Sequence, residues 1–473
     1  MLSCFQQRHF HRLVESVHTP PQAWVLLGCI SVIVFVAFTA TMFAIVRAFL
    51  RLSAVAAPGN LWTKAATTRE SSAQSTTTTP TTHAVTAPPI TEPRVPHSSL
   101  ICTIGDHLST KNNALPPDGV CTIIFYDSLY KPGGSTLSEP FEPNFQRFLD
   151  ATDAHNLTQF GIGFDYRLRK NTAVIVNDTV EKSQLDSLWQ RRIYHYGHVN
   201  TPAFGVGLSD MADLINSART VASLMRDKDI NERPVYTAVV LPVLDAPIAE
   251  FIVKKLRNAV VDILIGLAHQ AAEDKMNPNC LMMPPSFMDS PSNDYPFSLR
   301  LWHETFQTIA EARLPTTLAL SVGIALRRYR PRYPDPYVEG DSEPRNYSIM
   351  HRCTSFEGPQ LADVLEVCQN TERNFTWHAA IMSEFTFDKN GSWLFTNDGT
   401  RSLRYKLCEA KKDYASLKYT IAAMDIDFSD ARFDKLYLLR NLTLCFQNTY
   451  NITDVVECCE NFDYSPPCHE YHE

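Results

Sequence analysis

Tyr419 to Phe428 reads Y-T-I-A-A-M-D-I-D-F, an apolar run that ends on two carboxylates spaced by one residue. A run of that length, bounded by polar residues, reads as a strand buried on both faces. The segment just before it, R-S-L-R-Y-K-L-C-E-A-K-K from Arg401, reads as a helix. Working outward from this helix-strand unit, the same alternation recurs. Candidate strands are 121–126 (CTIIFY), 159–164 (QFGIGF), 203–208 (AFGVGL), 236–241 (YTAVVL), 261–266 (VDILIG), 317–322 (TLALSV) and 379–384 (AAIMSE), with 419–425 as the last. Candidate helices fall at 143–152, 209–226, 246–259, 298–312, 358–370 and 399–412. In the second of these, Met211, Leu214, Ile215, Ala218, Val221 and Leu224 line one helical face. Eight strands alternating with helices predict a parallel sheet, and at this length an α/β chain closed as a (β/α)8 TIM-type barrel.

The remainder of the chain predicts where this barrel resides. Residues 23–46 (AWVLLGCISVIVFVAFTATMFAIV) carry no charge. As a helix they span a hydrocarbon core of about 30 Å at about 1.5 Å per residue. Residues 1–22 then form a cytoplasmic tail, and 47–98, rich in Thr, Ser, Ala and Pro, an extended stalk. Arg8 and Arg12 precede the span and Arg47, Arg51 and Lys64 follow it, so flanking charge leaves the orientation open. The body decides it. N-x-S/T sequons begin at Asn156, Asn177, Asn346, Asn374, Asn390, Asn441 and Asn451, and such acceptors need the secretory lumen. Cys102, Cys121, Cys280, Cys353, Cys368, Cys408, Cys445, Cys458, Cys459 and Cys468 form an even set, as expected of disulfides in an oxidising compartment. Cys458 and Cys459 are adjacent and reach different partners, and a Cys102–Cys121 bridge would close a loop at the start of the barrel; the other pairings stay open. The prediction is a single-pass plasma-membrane protein with an extracellular body at 99–440 and a Cys-rich tail at 441–473. Shedding by cleavage in the stalk remains open. A cleaved signal peptide ending near Ala54-Val55-Ala56 is the alternative, but the apolar run exceeds the roughly 7–15 residues of an h-region.

The order of motifs near the end points to a family. Phe395-Thr396-Asn397-Asp398, a helix carrying Ser402 and Lys406, and then Ala422–Phe428 (AAMDIDF) resemble the final unit of the chitinase-like glycoside hydrolases and chitolectins. Residues 121–126 look like that family's first strand; 240–245 (VLPVLD) and 262–266 (DILIG) are similar to its fifth and sixth. The resemblance implies a (β/α)8 barrel and a D-x-x-D-x-D-x-E fourth strand. Its Glu protonates the leaving oxygen while a neighbouring Asp orients the 2-acetamido group that attacks. Strand alternation explains the spacing, since i and i+2 share a face. The matching segment, residues 204–211, puts Phe204, Gly207, Ser209 and Met211 at the acidic positions, and Asp210 is out of register. A positioned general acid contributes roughly 10²–10⁴-fold, so its loss predicts no hydrolysis of the family type. The Trp that floors the family's sugar site is Ala422 here.

The remaining candidates are carboxylates at strand ends, where a barrel carries its site: Asp127, Asp245, Asp425 and Asp427, with Asp210 beside them. Each is either a mouth ligand or an ordinary loop or cap carboxylate. Trp302, inside SLRLWHETF, reads as core, and His303-Glu304 as a solvated helix face. His469 and His472 in the tail read as a frayed terminus in preference to a metal site. Residues 131–136 (KPGGST) read as a turn. Lys and Arg number 43 against 51 Asp and Glu, which gives no basic footprint for nucleic acid. The reading is a membrane-anchored, non-enzymatic barrel that binds a carbohydrate or an extracellular protein, with no cofactor and no metal. A hydrolase using a displaced acid, and a surface scaffold with partner-binding loops, are the alternatives.

Overall fold

A computed structural model describes residues 92–105, 107–108, 115–229, 233–243, 246–272, 274, 280–290, 295, 297–332, 349–354, 360–368, 375–388, 393–429 and 432–462. The first seven strands are β1 (Leu100–Ile104), β2 (Ile123–Leu129), β3 (Gln159–Phe164), β4 (Ile193–His198), β5 (Thr237–Leu241), β6 (Ile263–Gly266) and β7 (Thr317–Gly323). An insertion follows with β8 (Leu326–Tyr329), β9 (Gln360–Ala362), β10 (Thr376–His378), β11 (Ser383–Asp388) and β12 (Trp393–Asn397), and β13 (Thr420–Met424) returns to the barrel. The closed barrel runs β1-β13-β7-β6-β5-β4-β3-β2, every pair parallel. The insertion is a separate antiparallel sheet, β10-β11-β12-β8-β9.

Strand alternation sorts the core into two clusters. Leu100, Ile124, Val239, Leu264, Leu320 and Ile421 pack with helix residues such as Leu214 and Phe306, outside the barrel wall. Ile101, Phe125, Val240, Ile265, Ala319 and Ala422 form the inner cluster. That inner cluster continues past the strand ends into Met282, Met283, Phe287, Tyr295 and Phe297 of the β6–β7 connection, and into Tyr329 and Leu394 of the inserted sheet. Two glycines let adjacent strands approach: a Cβ on Gly163 would collide with the Asp127 carbonyl, and one on Gly197 with the Ala238 carbonyl.

The helices in chain order are α1 (Pro143–Ala151), α2 (Thr172–Asn177), α3 (Thr179–Gln190), α4 (Leu208–Met225), α5 (Ala246–Asn258), α6 (Leu299–Glu311), α7 (Val364–Cys368), α8 (Thr400–Asp413), α9 (Asp434–Phe446) and α10 (Ile452–Glu460). Their ends follow local chemistry. Pro143 opens α1, the Asp178 side chain caps α3 by accepting from Val180, and the Ser298 hydroxyl caps α6 by accepting from Leu301.

Several expected elements differ. Residues 203–208 are not a strand: the Ala203 and Phe204 amides donate to Asp274 Oδ1 (2.7 and 3.2 Å), Gly205 has φ +77°, and Leu208 opens α4. The fourth barrel strand is β4, I-Y-H-Y-G-H, whose polar rings hid it. His195 is satisfied by Gln159 Oε1 (2.9 Å) and the Tyr236 amide (3.1 Å), and His198 by the Phe164 carbonyl and Ser217 Oγ (both 2.8 Å). Residues 379–382 form a turn with Met382 at φ 54°, and the strand after it, β11, belongs to the inserted sheet. The first barrel strand, β1, precedes residues 121–126, which supply the second. Within 358–370 the described residues give short β9 and α7 in place of one long helix, and α9 runs across position 441 into the Cys-rich tail. His303 is buried, not solvated, with Nδ1 on the Leu299 carbonyl (2.7 Å) and Nε2 on the Tyr419 hydroxyl (2.9 Å).

Disulfides join Cys102–Cys121, Cys280–Cys353, Cys408–Cys459 and Cys445–Cys458, and Cys368 is also disulfide-bonded; Cys468 lies outside the described residues. Asn156, Asn177, Asn441 and Asn451 are exposed, while Asn346, Asn374 and Asn390 lie outside the described residues. So do the apolar run 23–46, the stalk up to residue 91, and the His469/His472 tail. Among the described residues no helix is long and apolar enough to cross a membrane.

Candidate functional site at the barrel mouth

The C-terminal ends of β2 and β13 bring three of the predicted carboxylates together. Asp127 lies within β2, and Asp425 and Asp427 follow β13 directly. A Cβ on Gly105, just past β1, would stand 3.6 Å from both Asp127 Oδ2 and Asp427 Oδ2. Asp425 adopts a left-handed backbone (φ 60°, ψ 47°), and its amide donates to Thr103 Oγ1 at 3.1 Å. That turn directs the chain into the short 3-10 segment Ile426–Phe428. Asp427 Oδ2 accepts from the His107 amide at 2.9 Å, and the His107 ring stacks on Phe428 with centroids 4.3 Å apart.

Electrostatics divides these acids. Lys131 Nζ donates to Asp127 Oδ2 and forms an ion pair with it. Burial pushes the Asp425 carboxyl up to about 7; Asp427 and Asp127 push the same way and Arg327 opposes. Burial likewise pushes Asp427 up to about 6, against hydrogen bonds that favour its ionised form. Desolvation outweighs those contacts because it penalises the charge itself.

Other groups at the mouth are absent from the sequence-based set. Arg327 opens the insertion and is wholly buried; Nη2 donates to the Gln270 carbonyl, while Nε and Nη1 have no hydrogen-bond partner among the described residues. His269 places Nδ1 against Ser321 Oγ at 2.8 Å, and burial holds its ring neutral, down to about 3. Asp274 accepts from the Ala203 and Ala271 amides (2.7 and 3.0 Å), and burial raises it to about 6. Tyr329 donates to Gln270 Oε1 at 3.0 Å. The signal that could have found His269 and Gln270 is position, since both follow closely after β6.

Two predicted residues do not join them. Asp210 sits in the first turn of α4, accepts from the Gly207 amide (3.0 Å) and from Arg169 (2.9 and 2.5 Å), and is held below the usual carboxylate range by those bonds. Asp245 lies outside the described residues. Trp302 is core, donating Nε1–H to the Leu267 carbonyl at 2.9 Å.

The space between these groups is small. Thr103, Asp127, Thr201, His269, Met424 and Asp425 border a cavity of about 10 Å³. A single water needs about 10–15 Å³ on this measure, and a sugar ring does not fit. Thr201 Oγ1 is buried there with no partner among the described residues. Strand β4, I-Y-H-Y-G-H, brings no carboxylate to the mouth. Among the described residues no group of three or more His, Cys, Asp or Glu is placed to hold a metal ion.

The motif that carried the resemblance has a structural task. Lys406 and Asp398 are fully buried and paired at 2.6 Å. Lys406 also donates to the Ser286 carbonyl (2.7 Å) and Ser383 Oγ (2.5 Å), and Asp398 accepts from Ser286, Ser383 and Ser402. Beside it, Lys435 donates to Asn397 Oδ1 and the Ile324 carbonyl, both at 2.8 Å. These bonds clamp the inserted sheet and the β6–β7 connection onto the barrel.

No family model and no curated protein matches the chain. In structure it is similar to the class V chitinase from Nicotiana tobaccum, with a TM-score of 0.48 at 12% identity over 73% of this chain and 98% of that one. It is similar to the chitinase-like agglutinin RobpsCRA from Robinia pseudoacacia (0.48, 15%, 73% and 99%). It is also similar to YKL-39, solved in the presence of chitooligosaccharides (0.47, 12%, 77% and 100%). These are likenesses of fold, and what each of those proteins binds belongs to that protein.

Proposed function

We propose that this chain is a single-pass membrane glycoprotein whose extracellular chitinase-like barrel binds a carbohydrate or protein ligand without hydrolysing it. The observation that carries this reading is the barrel mouth. It has no carboxylate from β4, and its cavity is water-sized at about 10 Å³. Hydrolysis of the family type needs a general acid positioned at the glycosidic oxygen, with room for the sugar beside it. The inner core continues past the strand ends into Met and aromatic side chains of the β6–β7 connection. A ligand is then engaged on the outer surface or loops, as in a display protein or scaffold. Membrane anchoring rests on the uncharged run 23–46 and the Thr/Pro stalk, and the secretory route on the sequons and disulfides.

A second reading is favoured by one observation. Asp425, raised to about 7 beside Asp127, has the acidity of a general acid. A hydrolase of this kind would use Asp425 as the displaced acid once the mouth opened.

One sample separates these readings. The full chain, expressed in a secretory host, is titrated with chitin oligomers by calorimetry and assayed by product chromatography. Binding without cleavage supports a non-hydrolytic lectin, and silence in both supports the protein-binding scaffold. Cleavage that disappears in Asp425→Asn overturns the non-hydrolytic reading.

A further inference from the structure

A second concavity lies at the other end of the barrel. A groove of about 1280 Å³ opens where β1, β7 and β13 begin, between the end of α6, the loop after α8 and the start of α10. Its size exceeds the ~300–1,000 Å³ of ordinary ligand pockets. Leu314, Leu318, Tyr414, Lys418, Tyr450 and Asn451 are among its lining residues. Asn451 is also the acceptor of an N-x-T sequon, so the groove contains its own point of attachment for a sugar chain.

The local geometry leaves that attachment free. Asn451 caps α10 through Oδ1, which accepts from the Asp454 amide at 3.0 Å, while Asp454 Oδ2 accepts from the Asn451 and Tyr450 amides at 3.1 and 2.7 Å. The cap uses the oxygen, and glycosylation uses Nδ2, so a sugar can be joined without opening the helix end. Asn177 contrasts with it, since its Nδ2 donates to the Ala173 carbonyl at 2.7 Å. Tyr450 is 70% exposed at the groove edge, with Lys418 Nζ 4.2 Å from its ring centre. An exposed ring beside an ammonium suits a sugar that offers both C–H faces and hydroxyl or acetamido oxygens.

We infer that the groove is occupied by the N-linked glycan of Asn451, whose N-acetylglucosamine core packs against Tyr450 and Lys418 and ties α10 to the loop after α8. The covalent tether supplies the sugar at high effective concentration, so weak contacts suffice to seat it. This inference rests on the secretory reading above.

The test uses the full chain from a secretory host. Site occupancy is mapped by mass spectrometry, and release of each glycan by an amidase is timed on native and denatured protein. The expected result is occupancy at Asn451 and native-state release about tenfold slower than at Asn156, the ratio that a tenfold bias toward the docked state produces. Tyr450→Ala keeps the sequon and restores the rate. Thr453→Ala removes the glycan but keeps the Asn451 cap, and lowers the melting temperature relative to Thr453→Ser. An empty Asn451 with other sequons filled, or release as fast as at Asn156, overturns the inference alone. Empty sequons throughout overturn the secretory reading with it.

Discussion

Asp425 shows how one carboxyl can couple the mouth to pH. It ionises near 3.8 in an unfolded chain and near about 7 in the fold. The folded state therefore holds a proton that the unfolded state has released, and stability falls as pH rises through that window. The contribution is largest below the unfolded value and levels off above the folded one. Asp427 and Asp274, each raised to about 6, act in the same direction over a narrower range. Asp425→Asn is expected to flatten the upper part of the curve, so that melting temperatures compared between about pH 6 and about pH 8 differ less than in the unaltered chain. An unchanged slope would show that Asp425 is ionised in the fold. The three mouth acids were legible from position alone, because strand ends are where a barrel exposes polar groups. Arg327 was not legible, since nothing in L-R-R-Y tells which arginine is turned inward.

Among the elements, the clamp around Lys406 and the close approach of β4 and β5 invite separate tests. Lys406→Met leaves Asp398 ionisable in a fully buried site with no cation beside it. Unpairing a buried charge costs about 3–5 kcal/mol, and denaturant titration is expected to show a loss of that order. Ser286 and Ser383 keep only part of the network without the ammonium. Gly197→Ala places a Cβ against the Ala238 carbonyl, and backbone cannot yield as a flexible side chain does. Overpacking of this kind costs about 1–3 kcal/mol, measurable by the same titration. Long amphipathic helices such as α4 and α6 were readable, because 3.6-residue periodicity is local. Strand β4 escaped because His195 and His198 become core only after Gln159, Phe164, Ser217 and Tyr236 satisfy their ring nitrogens. The segment 203–208 misled because A-F-G-V-G-L has strand composition but is held as a loop by Asp274, a residue about seventy positions away.

Over the whole molecule, disulfides join the C-terminal helices to each other and to the barrel. Cys408–Cys459 ties α8 to α10, and Cys445–Cys458 ties α9 to α10. Cys408→Ala with Cys459→Ala is expected to lose about 2–4 kcal/mol, seen as a lower melting temperature, with the barrel's far-ultraviolet signature kept. The αβ alternation, the closing strand at 419–425 and the separate partners of Cys458 and Cys459 were readable from neighbours in the chain, and the structure makes the Cys102–Cys121 bridge that the sequence only suggested. The segment 204–211, read from the sequence as the place of the family's acids, is a loop running into α4, and the fourth strand, I-Y-H-Y-G-H, was identified only by the fold. Which segment is the fourth strand, which carboxylates converge and how small a cavity they border emerged with folding alone. Those depend on contacts between residues far apart in the chain, and burial, which sets both the cavity and the acidity of Asp425, exists only once those contacts have formed.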